Sequence, residues 1–123
     1  MSKTISIVIP TYNEEENVVP LANAVREMFR SSLPNYNYEI LFIDNDSQDN
    51  TRLLLKSICD SDENVIAIFN AKNFGPFNSP YYGLLQATGD AVVLLCADFQ
   101  DPIELIPKFV SEWEAGNAIV IGN

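Results

Sequence analysis

Two kinds of apolar run alternate along this chain. Short runs rich in β-branched residues are each followed by a longer stretch whose apolar positions recur every three or four residues. That alternation predicts βαβ units around a mostly parallel sheet. Ile5-Ser6-Ile7-Val8-Ile9 is the first strand. Val18, Leu21, Val25 and Met28 follow at helical spacing, with Asn17 placed as N-cap and Pro20 in the tolerated first turn, giving a helix to residue 30. Residues 38–43 form strand two, and Asp49 or Asn50 can cap a helix carrying Leu54, Leu55 and Ile58. Strand three covers 65–69. Ser79-Pro80 opens a helix with Tyr82, Leu85 and Gln86 on its turns and Gly89 as its C-terminal stop. Strand four covers 91–96, and Asp101-Pro102-Ile103-Glu104 has the form of a capped helix start, with Ile106, Phe109, Val110 and Trp113 beneath and Gly116 at its end. A fifth strand is expected over 118–121. The expected architecture is α/β, a three-layer α/β/α domain.

Three strands run straight into loops of acidic and amide residues. The loops are Thr11-Tyr12-Asn13-Glu14, Asp44-Asn45-Asp46-Ser47-Gln48-Asp49 and Asp98-Phe99-Gln100-Asp101. In a parallel sheet the carboxyl ends of the strands share one edge, so these loops converge where such folds bind ligands. A nucleotide is the expected cargo. Asp44, at the end of strand two, is best placed to accept hydrogen bonds from a ribose or a base, as an acidic residue does in dinucleotide-binding folds.

Charge sharpens that expectation. The 123 residues carry a formal net charge of -10, which argues against binding nucleic acid or anionic lipid through bulk electrostatics. A nucleoside diphosphate is itself strongly anionic, and Asp44, Asp46, Asp49, Asp98 and Asp101 surround its expected place with almost no Lys or Arg. A divalent cation, Mg²⁺ or Mn²⁺, resolves the conflict, since these hard ions take carboxylate and phosphate oxygens together. The loop after strand four is the natural metal holder. Cysteines number 2, in apolar surroundings, and His is absent, so neither a disulfide framework nor a zinc site is indicated and a reducing cytoplasm fits. No apolar run approaches the roughly 20 residues of a membrane span.

Five segments in order, Ile7-Val8-Ile9-Pro10-Thr11-Tyr12-Asn13-Glu14-Glu15, Ile43-Asp44-Asn45-Asp46-Ser47-Gln48-Asp49-Asn50-Thr51, Asn73-Phe74-Gly75, Gly89-Asp90 and Ala97-Asp98-Phe99-Gln100-Asp101-Pro102, resemble the signatures of family 2 glycosyltransferases. The resemblance is in particular to the branch of polyprenyl-phosphate sugar transferases, dolichyl or undecaprenyl. It implies the Rossmann-like nucleotide-binding half of a GT-A fold. It further implies that Pro10, Thr11, Tyr12 and Glu14 line the base and ribose and that Asp44 reads the base. Asp46, Ala97 and Asp98 join the nucleotide site, and Asp98 with Gln100 sits at the metal and diphosphate. The implied donor is a UDP-, GDP- or dTDP-sugar, and the acceptor a polyprenyl phosphate or a glycan. Where the family carries the first aspartate of its Asp-x-Asp motif this chain has Cys96, and no residue corresponds to the family's general base.

Simpler roles are also expected for several of these residues. Asp49 and Asp101 read as helix N-caps, Glu15 and Glu16 as partners of a helix dipole, Tyr81, Tyr82 and Trp113 as packing residues, and Cys96 as a small core residue. A nucleotidyltransferase is disfavoured by the absence of a Gly-rich basic loop after strand one. A non-catalytic nucleotide-binding remnant is the other alternative. With strand five close to the end of the sequence, the chain reads as the first half of a larger domain, inactive by itself. It would pair through its uncovered apolar edge as a dimer or larger homo-oligomer, within a parent at the cytoplasmic face of the membrane.

Overall fold

Isoleucines at alternate positions of the first strand set the layering. In the structure, a computed structural model that describes residues 3–70, 89–95 and 103–114, Ile5, Ile7 and Ile9 of β1 (Thr4–Thr11) point to one face of a sheet. Ser6 and Val8 point to the other. β2 (Asn37–Asn45) repeats the alternation, with Ile40 and Phe42 on the first face and Leu41 and Ile43 on the second. All of these apolar residues are buried, as strands covered on both faces require.

Onto the first face pack α1 (Val18–Ser32), α2 (Thr51–Ser61) and α3 (Ile106–Glu114), the last preceded by a single 3-10 turn, Ile103–Leu105. Each helix contributes an apolar stripe: Val18, Leu21, Ala22, Val25, Met28 and Phe29 from α1, Leu55 and Ile58 from α2, Ile106 and Val110 from α3. Fully burying one such side chain is worth about 1.5–3 kcal/mol. Tyr38 stacks on Phe29 with ring centroids 4.8 Å apart. Trp113 packs against the edge of this core, as its spacing predicts. None of the helices among the described residues is long and apolar enough to cross a membrane.

β3 (Val65–Asn70) and β4 (Ala91–Leu94) complete a sheet of order β3-β2-β1-β4 in which every pair is parallel. From β1 the chain steps through β2 to β3 in one direction, and β4 lies on β1's other side. The order therefore reverses between β1 and β4, the switch point outside which open α/β sheets hold ligands. The helix expected from Ser79, the strand over 118–121, and Tyr81, Tyr82, Cys96 and Asp101 lie outside the described residues.

One expectation is corrected. β1 and β2 run through Thr11 and Asn45, because Thr11 and Asp44 stand opposite each other and bond across the ladder. Asp44 is thus a strand residue and not the first residue of a loop. Gly89, expected only as a helix stop, is also required sterically, since a Cβ there would lie 2.4 Å from Ser6 Oγ, 2.8 Å from Ser6 N and 2.9 Å from Thr4 O. Its amide donates to Ser6 Oγ (2.8 Å), which in turn donates to the buried Glu39. The neighbouring Asp90 amide donates to Thr4 O (2.7 Å) and its carboxylate accepts from Thr4 N (2.8 Å).

Since two of the three clashing atoms are backbone, Gly89→Ala cannot be relieved by a rotamer change. Urea unfolding should show a loss of about 1–3 kcal/mol; a loss below about 0.5 kcal/mol, the range of an ordinary surface substitution, would contradict this contact.

Candidate functional site

At the carboxyl edge of the sheet, β1 and β2 end side by side, with Thr11 paired to Asp44. Asp44 is fully buried, 0% exposed, and a carboxylate removed from water needs hydrogen bonds. It has them. Oδ1 accepts from Thr11 Oγ1 (2.9 Å) and Ser47 Oγ, and Oδ2 accepts from the Ser47 amide (3.0 Å). Of about four acceptor positions on a carboxylate, three are occupied and at most one is left for a ligand.

The loops beyond these strands are stitched together by two parallel relays. The Asn13 amide donates to Ser47 Oγ (2.9 Å), and that hydroxyl donates to Asp44. One residue on, the Glu14 amide donates to Thr51 Oγ1 (2.8 Å), and that hydroxyl donates to Asp49 Oδ1. Glu15 N donates to Asp49 Oδ2 (3.3 Å), and Gln48 N donates to Asn13 Oδ1 (2.8 Å). Among the described non-glycine residues two adopt left-handed backbone, Asn13 (φ 53°) and Asp46 (φ 60°). Asn and Asp are the non-glycine residues that tolerate that region best.

Sequence reasoning placed Pro10, Thr11, Tyr12, Glu14, Asp44 and Asp46 in one site, and the structure brings all six to one edge. Tyr12 is 46% exposed there. The carboxylate of Glu14 accepts from Asn17 Nδ2 (2.9 Å), and Asn17, expected as the N-cap of α1, stands there without a side-chain cap bond. Asp46 pairs with Arg52 (3.4 Å), whose guanidinium lies over the Phe69 ring at 4.9 Å. Ala97, Asp98 and Gln100 lie outside the described residues. Not anticipated were Asn13, Ser47 and Thr51, whose roles are to bond across the two loops. Their signal in the sequence was a small polar residue at each point where the loops face one another.

Asp49 stands one residue before the N-cap Asn50, which makes no side-chain cap bond, and accepts from the Thr51 amide (2.9 Å) at the start of α2. Glu15 and Glu16 sit in the turn just before α1, not within its first turn. With Asn13, Glu14, Asn17 and Asp49 they line an open cleft of ≈ 330 Å³. Its four carboxylates make it a poor receptor for a diphosphate, and Thr11, Tyr12 and Asp44 do not line it. Among the described residues no group of three His, Cys, Asp or Glu stands close enough to hold a metal ion.

Partial burial pushes the Asp49 carboxyl up, but hydrogen bonds from the Thr51 hydroxyl and amide and from the Glu15 amide outweigh it and hold the group below its usual range. A carboxyl depressed in the folded state adds stability that is complete above its unfolded value, about 3.9. That stability is lost as pH falls through the lower folded value. The urea midpoint of Asp49→Asn should accordingly fall less steeply below about pH 4 than that of the wild type; identical acid limbs would show that Asp49 is not held in this way.

A model of glycosyl transferase family 2 matches residues 6–123. Over 117 residues, 95% of the chain, it is 38% identical to a prophage bactoprenol glucosyl transferase homolog of Escherichia coli (strain K12), of which it covers 38%. It is 39% identical over 119 residues to an undecaprenyl-phosphate 4-deoxy-4-formamido-L-arabinose transferase of Yersinia pestis (strain Pestoides F), covering 96% of this chain and 36% of that one. The chain therefore spans less than two fifths of the length of these relatives. Among solved structures, the mannosyltransferase PcManGT from Pyrobaculum calidifontis, in complex with GDP-Man and Mn²⁺, superposes with a TM-score of 0.73 at 19% identity, over 89% of this chain and 32% of that one. S. aureus TarS in complex with UDP-GlcNAc superposes with a TM-score of 0.72 at 22% identity, over 94% and 32%. These likenesses show the GT-A fold. With its family signature, its parallel β3-β2-β1-β4 sheet and these relatives, the chain belongs to glycosyl transferase family 2.

Proposed function

We propose that this chain is the donor-binding part of a glycosyltransferase that passes a sugar, with inversion, from a nucleoside diphosphate to a polyprenyl phosphate or a glycan. The observation that carries this reading is the joined carboxyl ends of β1 and β2, where Thr11 and Asp44 are paired beside the sheet's switch point. Family membership and relatives named for bactoprenol and undecaprenyl phosphate support the acceptor class. The solved neighbours with GDP-Man and UDP-GlcNAc support a nucleotide-sugar donor. The fraction of the relatives' length that the chain spans supports leaving acceptor recognition and the general base to sequence beyond it.

Within this reading Pro10, Thr11, Tyr12 and Glu14 border the base and ribose, with the exposed Tyr12 ring offering a face on which a base can stack. Asp44 uses its one remaining acceptor position for a base or ribose donor, and the bonds from Thr11 and Ser47 keep that oxygen fixed before the ligand arrives. Asp46 borders the same loop.

The loop chemistry also bears on how a diphosphate is held. In many phosphate sites backbone amides do this work. Here the amides of Asn13, Glu14 and Glu15 are already committed to Ser47, Thr51 and Asp49. Arg52 is committed to Asp46. An oxygen-rich edge with these three amides and Arg52 engaged fits a bound Mg²⁺ or Mn²⁺, and the described residues do not form that site by themselves. The ligands in this reading are Asp98 and Gln100. Asp98 is three residues beyond Leu95, whose amide still bonds to Val8 O (2.9 Å), and three residues reach at most about 11 Å. The ion supplies charge neutralisation for the departing diphosphate. Ala97 and Asp98 are assigned to the nucleotide site within this reading.

Calorimetric titration with UDP, GDP and dTDP and their monophosphates tests this. With Mn²⁺ one diphosphate should bind at least about tenfold more tightly than its monophosphate, about 1.4 kcal/mol, and EDTA or Asp98→Asn should erase the difference. A diphosphate preference that persists undiminished in EDTA would overturn the metal-bridged reading, and binding of none would overturn the nucleotide reading.

A further inference from the structure

We propose that Asn13 is a positioning residue that fixes how Tyr12 meets the base, a role that rests on the function proposed above. Its backbone is left-handed (φ 53°), so the chain turns sharply directly after Tyr12. Its amide and its side chain both reach the other loop, the amide donating to Ser47 Oγ (2.9 Å) and Oδ1 accepting from the Gln48 amide (2.8 Å). The Ser47 hydroxyl passes to Asp44 Oδ1, which also accepts from Thr11 Oγ1 (2.9 Å).

The result is a closed ring: Thr11 to Asp44 by hydrogen bond, Asp44 to Ser47, Ser47 to Asn13, and Asn13 back to Thr11 through the Tyr12 backbone. Within it Asp44 and Ser47 are buried, Thr11 is buried, and Tyr12 is 46% exposed. The ring therefore holds the backbone of one exposed aromatic residue from both sides. Asn13 combines the two properties this needs, tolerance of a left-handed backbone and a short carbonyl acceptor that reaches a neighbouring amide. Glycine would supply only the first and alanine neither.

The test compares Asn13→Gly, Asn13→Asp and Ser47→Ala with the wild type. The probe is whichever of UDP, GDP or dTDP the wild type binds most tightly with Mn²⁺, together with its monophosphate. Asn13→Gly, which keeps the backbone accessible but deletes the acceptor, should weaken binding by about fivefold or more, and by the same factor for both nucleotides because the loss lies on the base side. Asn13→Asp, which keeps both properties, should stay within about threefold of the wild type. Ser47→Ala removes the hydroxyl that the Asn13 amide uses, and should reproduce the equal loss even if Asn13→Gly fails to fold. Wild-type affinity in Asn13→Gly or in Ser47→Ala overturns the positioning role alone, as does a loss confined to the diphosphate. A wild type that binds none of the nucleotides overturns the nucleotide reading and this role with it.

Discussion

A carboxylate with no access to water organises the working edge of this protein. Asp44 sits in the ladder of β2 opposite Thr11, and its burial is tolerable only because Thr11 and Ser47 supply three hydrogen bonds. Those bonds come from the last residue of β1 and from the loop after β2, so satisfying Asp44 also fixes where the chain goes after both strands. Removing the carboxylate would leave Thr11 and Ser47 hydroxyls in a buried place without their acceptor. Removing either hydroxyl would leave a buried charge short of a donor. The arrangement is therefore self-consistent in both directions, which is how a ligand edge is held in shape before any ligand is bound.

The rest of the structure supplies a rigid frame for that edge. Apolar residues on both faces of β1 and β2 anchor the strands, and three helices cover one face. At the opposite end, Gly89 lets the start of β4 approach Ser6 closely enough for the amide, the hydroxyl and the buried Glu39 to form a chain of bonds. The register of β1 against β4 is thus set at the amino end while its consequences are felt at the carboxyl end, where the sheet's order reverses. Apolar burial makes the frame rigid, and polar complementarity between the loops shapes the edge.

Much of this was legible in the sequence, because burial on both faces leaves a plain signature. The runs around Ile7, Leu41 and Val93 and the periodic stripes of Val18 to Met28 predict the strands and helices in their observed order. What was not legible came from polar residues that serve the fold. Thr11 and Asp44 read as loop because polarity alone does not reveal that two side chains bond across a ladder. Asn13 and Ser47 stood only as members of the two converging loops, with no role of their own, since they are 34 positions apart in sequence. Asp49 shows the opposite case, a carboxylate whose bond to the start of α2 was visible from its place before the α2 pattern, although Asn50 is the N-cap. The bond from Thr51 to Asp49 spans two residues and can be read in sequence, whereas the stitching between loops is long-range and cannot.

If the ring through Asp44 does what its geometry suits it for, the loops after β1 and β2 bind a nucleotide as one unit. Amide chemical shifts of the isotopically labelled protein, followed through a titration with a Mg²⁺-nucleoside diphosphate, report this residue by residue. We expect the amides of Thr11, Tyr12, Asn13, Asp46 and Ser47 to move together with a single midpoint, while those of Thr4, Asn37 and Gly89 at the far end of the sheet stay in place. Shifts centred on the far end, or different midpoints for the two loops, would contradict binding by a single unit at this edge.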